Sequence, residues 1–345
     1  MLGFYQAIKD ADPKGGRIAM TVLEGSSFAE KAVVEGQDIV WESVPSGFFS
    51  QCREGFGSIG KSGVYEIEGT RVYCEAAASE DKIVVCGAGH VSIPVIQIGK
   101  MLGSYVAVLE DRPKFADDAR RAGADLVICA PFAQGLEQVQ GDSDTYFVIV
   151  TRGHRYDQIC LERIVAKEHA YIGMIGSRRR VAKVKEAILA QGCDAEAVRR
   201  VYTPIGLDVG AETPEEIAVA ILAEIIKVKR QTKRAAGYSR EIMKEILEGK
   251  DAGRMPKALM TIVSRKGSAP RGVGTKMLAL PDGSCIGTIG GGCVESDILR
   301  RALSMIRSGE QKARLCHIDM TEDMAQEEGM VCGGTIDVLI EVLKW

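Results

Sequence analysis

Residues 82–112, KIVVCGAGHVSIPVIQIGKMLGSYVAVLEDR, decide the fold. Lys82 to Cys86 make a short, β-branched apolar run suited to a buried parallel strand, and Gly87-Ala88-Gly89 breaks it. Val91, Val95, Ile98 and Leu102 then recur at helical spacing. A second apolar run from Tyr105 ends on Glu110, roughly 20 residues past the first glycine, where dinucleotide folds place the carboxylate that binds a ribose hydroxyl. On this reading Gly87 permits the turn, Gly89 brings a pyrophosphate to the backbone amides, and His90 faces the ligand. Ser92 stands where the motif has its third glycine, so a hydroxyl must fit between helix and strand. Gly87, Gly89, His90 and Glu110 are the nucleotide candidates, and an NAD(P)-dependent oxidoreductase is the function they imply. Arg112 leaves NAD against NADP open, and a Rossmann unit without nucleotide is the plainer alternative.

Strand and helix patterns continue to alternate outward from this unit. Strands fall at 125–129, 146–150 and 171–175, with helical patterns near 115–122 and 158–167, which defines a Rossmann-like doubly wound parallel sheet over residues 81–230. Thr213, Pro214 and Glu216 cap its last helix. Gly87, Glu110, Thr151 and Gly176 follow strand ends and should gather at one crevice. The stretch TRGHRYD puts His154 near Asp157 as an acid–base pair or, more commonly, a structural histidine. GSRRR, at 176–180, suits a phosphate or an acidic partner.

A net charge of −3 gives no basic field for nucleic acid. The ten cysteines include no C-x-x-C pair and no export signal precedes them, so they read as reduced thiols in a soluble, cytoplasmic protein. No apolar run reaches membrane-spanning length. Residues 1–80 form a small α+β region with strands at 17–23, 32–34, 64–67 and 70–74, and 48–63 reads as a linker loop. Residues 231–257 are a basic linker and a lead-in helix. Residues 258–345 are a separate, smaller α+β glycine-rich domain with strands at 258–264, 276–280, 284–289 and 335–342 and a helix at 295–306. RIAMTVLEG and GTRVYCE in the first region parallel ALMTIVSRKG and GTIDVLIE in the last, a pattern that fits a degenerate repeat and chance about equally.

Three glycine-rich stretches mark the last domain: KGSAPRGVG at 266–274, GTIGGGCVE at 287–295, and Cys332-Gly333-Gly334. Glycine runs expose amides to an anion, and the second leads into a helix start. Lys266 and Arg271 add positive charge. Cys293 at the helix start is the better candidate for a reactive thiol, and Cys332 the second. Cys293, His317 and Cys332 have no recognised metal-ligand spacing, so no metal site is assigned.

These stretches, with CGAGH, LEDR, TRGHxxD, IGMIGSRRR and PIGLDVGAETPEEIAVAILAE, resemble the XdhC/CoxI family of xanthine dehydrogenase accessory proteins. The family usually carries its glycine-rich domain first and its Rossmann domain last; here the order is reversed. The resemblance implies a cofactor-maturation factor more than a catalyst. Such a factor binds molybdenum cofactor (molybdopterin), protects it while a cysteine desulfurase supplies its terminal sulfur, and delivers it to a molybdenum hydroxylase apoenzyme, typically as a homodimer. Gly290, Gly291, Gly292, Cys332, Gly333 and Gly334 with Lys266, Arg271 and Cys293 are then the cofactor-facing set.

Overall fold

The structure, a computed structural model, describes residues 2–10, 17–52, 56, 59, 62–76, 81–231, 238–249, 255–309, 313–319 and 334–343. The chain forms two compact units, one from Glu80–Lys233 and one that joins Met1–Ser79 to Arg234–Trp345. The last domain is therefore not separate. It folds together with the first 80 residues.

The first segment runs α1 (Leu2–Lys9), β1 (Ile18–Val22), β2 (Lys31–Glu35), β3 (Asp38–Glu42), α2 (Phe48–Gln51), β4 (Gly63–Ile67) and β5 (Thr70–Ala76). The central unit follows with β6 (Lys82–Cys86), α3 (Ser92–Met101), β7 (Tyr105–Glu110), α4 (Pro113–Arg121), β8 (Leu126–Cys129), α5 (Phe132–Glu137), β9 (Thr145–Ile149), α6 (His154–Ile164), β10 (Tyr171–Met174), α7 (Arg178–Ala190), α8 (Ala195–Arg199) and α9 (Pro214–Gln231). The last segment contains α10 (Arg240–Glu248), β11 (Lys257–Lys266), β12 (Lys276–Ala279), β13 (Cys285–Gly287), α11 (Gly292–Ser308), β14 (Ala313–Asp319) and β15 (Thr335–Leu343).

In the central unit β6 to β10 form a parallel sheet in the order β10-β9-β6-β7-β8. Apolar clusters cover both faces, which is why its strands read as unbroken hydrophobic runs. The order reverses between β6 and β9, the switch point at which such sheets open a crevice. At the start of α9, Glu216 accepts from the Thr213 amide at 3.0 Å and Thr213 Oγ1 accepts from the Glu216 amide at 3.2 Å, as the sequence predicts.

In the other unit the two chain segments form sheets of identical design, β3-β2-β1-β5-β4 and β13-β12-β11-β15-β14. Each has a helix before its first strand and another between its third and fourth. The registers agree as well. Thr21 faces Lys31 as Thr261 faces Lys276; Ala19 faces Glu75 as Leu259 faces Glu341; Glu66 faces Arg71 as His317 faces Asp337. The faint sequence parallel is a true structural repeat. Residues 1–80 hold a β3 that the sequence did not disclose, and the expected linker at 48–63 contains α2 with Phe49 and Phe56 buried in the repeat's core.

The repeats pack through two apolar clusters; to the larger, α1 gives Phe4, Tyr5 and Ile8, α10 gives Ile242 and Ile246, and the sheets give Val33, Leu259, Leu278 and Leu343. Burying each such large side chain stabilises by roughly 1.5–3 kcal/mol. Two buried ion pairs cross the same interface: Lys31 Nζ lies 2.8 Å from Glu341 Oε1, and Lys276 pairs with Glu75. By register the two pairs are equivalents of one another.

Candidate functional site

The glycine-rich stretches of the last segment converge on one loop, residues 266–271. A Cβ at Gly334 would lie 2.6 Å from the Lys266 carbonyl and 2.4 Å from that of Ser268. A Cβ at Gly290 would lie 2.9 Å from Pro270 Cβ and 3.7 Å from Arg271 Cγ. Glycine is required at Gly334 because its backbone lies against that of Lys266 and Ser268, and at Gly290 because a Cβ would press on the Pro270 ring. Lys266 and Arg271 project from this junction, both exposed. Cys332 and Gly333 lie outside the described residues.

The triple glycine does not present bare amides. Glu295, one turn into α11, reaches back so that its Oε2 accepts from the Thr288 hydroxyl at 2.5 Å, the Ile289 amide at 3.0 Å and the Gly291 amide at 3.1 Å. Thr288 Oγ1 in turn accepts from the Gly290 amide at 3.1 Å. This corrects the expectation that Gly290 and Gly291 bind an anion through their N–H groups, because the Thr288 hydroxyl and the Glu295 carboxylate already accept from those amides. Burial pushes the Glu295 carboxyl up, yet the Thr288 hydroxyl and the Gly291 and Ile289 amides hold it below the usual carboxylate range. The glycines serve geometry instead. Gly290, Gly291 and Gly292 have φ of 137°, 79° and 68°, in the left-handed region that glycine tolerates, and α11 begins at Gly292 inside the run. The first turn of α11 runs from Gly292 through Cys293 and Val294, at the positive end of the helix dipole. Cys293 is half-buried there. Around Gly291 a Cβ would meet nothing within 4 Å, and the same is true of Gly272, so both flank open space.

Beside the junction, Asp337 collects three partners. His317 Nδ1 lies 2.7 Å from Oδ1, Ser264 Oγ donates to Oδ2 at 2.6 Å, and Arg71 of the first repeat approaches Oδ2 at 3.4 Å. Burial raises the Asp337 carboxyl, but Ser264 and His317 hold it below its ordinary value. Sequence reading missed Thr288, Glu295, Ser264 and Asp337. Only Glu295 left a signal, standing at capping distance from the glycines. Among the described residues no group of three or more His, Cys, Asp and Glu is placed to hold a metal ion.

In the central unit the charged side chains at the crevice are engaged with one another. Glu110 is fully buried, and its two oxygens accept from the Ala88 amide at 2.8 Å, the Arg112 amide at 3.2 Å, Arg112 Nε at 2.8 Å and the Arg112 guanidinium again at 3.1 Å. An ionised carboxylate offers about four acceptor sites. All are filled, so Glu110 is a brace for the turn and not a free ribose acceptor, which corrects that expectation. A Cβ at Gly87 would strike the Val150 carbonyl at 2.6 Å, so the approach of the segment after β9 already requires glycine there. Arg152, beyond β9, forms a two-pronged ion pair with Asp111, beyond β7, so the bridge passes over the end of β6 that lies between them. Gly89, with nothing near its would-be Cβ, and exposed His90 remain open. His154 is exposed, and Asp157 is held instead by Thr151 Oγ1 at 2.5 Å and by Arg180, a brace that takes up the carboxylate which an acid–base pair with His154 would use.

The fold and site define a class: a Rossmann unit inserted between two copies of a glycine-loop module, of which the second keeps the glycines. Residues 83–225 match the XdhC Rossmann domain, and residues 252–319 match the XdhC and CoxI family. The chain belongs to the XdhC and CoxI family. It is 29% identical over 159 residues to the uncharacterized protein YqeB of Escherichia coli strain K12, covering 46% of this chain and 29% of that protein. It is 27% identical over 162 residues to a probable xanthine dehydrogenase subunit of Bacillus subtilis strain 168, covering 47% of each. The chain thus spans at most about half the length of these curated relatives. A solved xanthine dehydrogenase structure from Bacillus halodurans aligns over 65% of this chain and 62% of its own, at a TM-score of 0.49 and 22% identity. Among the described residues no helix is long and apolar enough to cross a membrane.

Proposed function

We propose that this chain is an accessory factor for a xanthine dehydrogenase-type molybdenum hydroxylase, and that the junction of its three glycine stretches holds molybdenum cofactor on the way to that enzyme. The observation that carries the reading is the meeting of Gly334, Gly290 and the 266–271 loop at one place, with Lys266 and Arg271 exposed beside it. A phosphate-bearing pterin suits that chemistry: two cations for the phosphate, the first turn of α11 for its charge, and open space at Gly272 and Gly291 for its bulk. Cys293 places a soft sulfur ligand at the same turn. The hydroxylase apoenzyme would be the recipient and a cysteine desulfurase the sulfur source. A dinucleotide oxidoreductase fits less well, because Glu110 has no acceptor site left and the Arg152–Asp111 bridge spans the crevice.

The test is gentle isolation from the native cell followed by mass spectrometry for a bound pterin. A pterin that accompanies the parent and is lost from Gly334→Ala supports the reading. Absence of pterin from the parent, together with full hydroxylase activation in cells lacking this protein, overturns it.

A further inference from the structure

We infer that the face joining the two repeats is self-complementary, and that Arg71 and Asp337 fix its choice of partner, so that the first repeat pairs with the last and not with another copy of itself. Each repeat carries one buried lysine at the start of its second strand, Lys31 or Lys276, and one buried glutamate on its fifth, Glu75 or Glu341. Each lysine meets the glutamate of the opposite repeat. Such an arrangement is isologous, as in a two-fold dimer whose subunits have been fused into one chain. Any two copies of the module would satisfy both pairs: two last repeats through Lys276 and Glu341, two first repeats through Lys31 and Glu75. The ion pairs therefore make the face sticky without making it selective.

Selectivity comes from the axis. Arg71 and Asp337 are equivalent positions by register, and two equivalent positions meet each other only where the axis relating the repeats passes between them. Around them Tyr73 and its equivalent Leu339, and Leu23 and its equivalent Val263, share one apolar cluster. In a pairing of two last repeats Asp337 would face Asp337, and in a pairing of two first repeats Arg71 would face Arg71. Only the mixed pairing sets opposite charges together, at 3.4 Å, with Ser264 and His317 fixing the aspartate. Like charges held in contact penalise the wrong partner, a device common at interfaces that must choose between near-identical surfaces. The partner class for this face is thus a second glycine-loop module whose axis position is basic.

The exposed Lys9–Glu248 pair, 3.0 Å apart on α1 and α10, supplies a reporter, because a carbodiimide couples such a pair without a spacer. Two full-length chains are co-expressed, one with Arg71→Asp and Glu248→Gln, the other with Asp337→Arg and Lys9→Arg. A 9–248 link can then form only between chains, and each chain's own repeats are mismatched while the cross-chain pairing of the linked halves is matched. The expected result is a cross-linked dimer several-fold more abundant than from the same pair bearing native Arg71 and Asp337. An equal yield overturns the inference. Should either mismatched chain fail to accumulate, one chain carrying both Arg71→Asp and Asp337→Arg must recover the parent's soluble yield, and failure to do so also overturns it.

Discussion

Lys31 Nζ and Glu341 Oε1 lie 2.8 Å apart with both side chains almost without solvent, although one residue is in the second strand of the chain and the other in the last. Thr21 Oγ1 accepts a further bond from the lysine at 2.9 Å, and Phe4 lies under the ammonium. Taking two charges from water costs several kcal/mol per ion, and their mutual attraction offsets this only while both remain.

Glu341→Ala is accordingly expected to destabilise the joined unit by about 3–5 kcal/mol, because it strands a buried ammonium. Replacing both partners, Lys31→Met with Glu341→Leu, should cost far less. Urea unfolding of the full chain measures both, and a double variant no more stable than the single would show that the pair is not the source of the loss.

The division between what the sequence disclosed and what it hid follows from periodicity. β6, β7, β9 and β10 are almost wholly buried, so their runs are unbroken and the strands of the central unit were legible to within a residue or two, whereas α6 lies a few residues before the pattern near 158–167 and the short helices α5 and α8 left no signal. β3 and β14 lie at sheet edges with one face exposed, and ARLCHID and DIVWE carry too little contrast to stand out. The joining of the first and last segments was illegible for another reason: Lys31, Glu75, Lys276 and Glu341 look like surface charges until a partner from the other end of the chain is known. At the site, glycine content located the loops correctly, but the amides' true acceptor, Glu295, was hidden because a glutamate in a first helical turn is common for its own sake.

Gly334 and Gly291 should respond differently to the same substitution. Alanine at Gly334 drives a methyl into two backbone carbonyls at 2.4 and 2.6 Å, which only a shift of the 266–271 loop relieves. Alanine at Gly291 meets nothing within 4 Å but must hold φ at 79°, at a cost of roughly 1–2 kcal/mol. Gly334→Ala is expected to abolish pterin retention, and Gly291→Ala to leave it within several-fold of the parent at slightly lower stability. Equal retention by the two variants would separate the ligand from the loop junction.

The Glu295 brace predicts an acid limit. Its carboxyl is lowered in the folded chain, so the folded state holds fewer protons there than the unfolded state near the ordinary glutamate value of about 4.3. A depressed acid contributes stability that is complete above that value and is lost as pH falls through the lower, folded one. The loop should stay ordered from neutral pH to about 5 and loosen below about 4. Amide chemical shifts of Ile289 and Gly291 followed by NMR report it, and in Glu295→Gln the transition should vanish. A transition unchanged in that variant would belong to another carboxylate.

Glu110 supplies the last test, because its role as a brace and its role as a ribose ligand predict opposite outcomes. With four donors already on its two oxygens, Glu110→Gln turns an acceptor into a donor and sets an NH2 against either the Ala88 amide or the Arg112 guanidinium. Leaving a buried donor unmatched costs about 1–3 kcal/mol, more beside a charge. The variant is therefore expected to unfold at lower denaturant concentration, while calorimetric titration with NAD, NADH, NADP and NADPH gives the same heats for variant and parent. If the stability were unchanged and a nucleotide heat present in the parent disappeared, the carboxylate would have to rotate out of its bonds with Ala88 and Arg112 to meet the ribose.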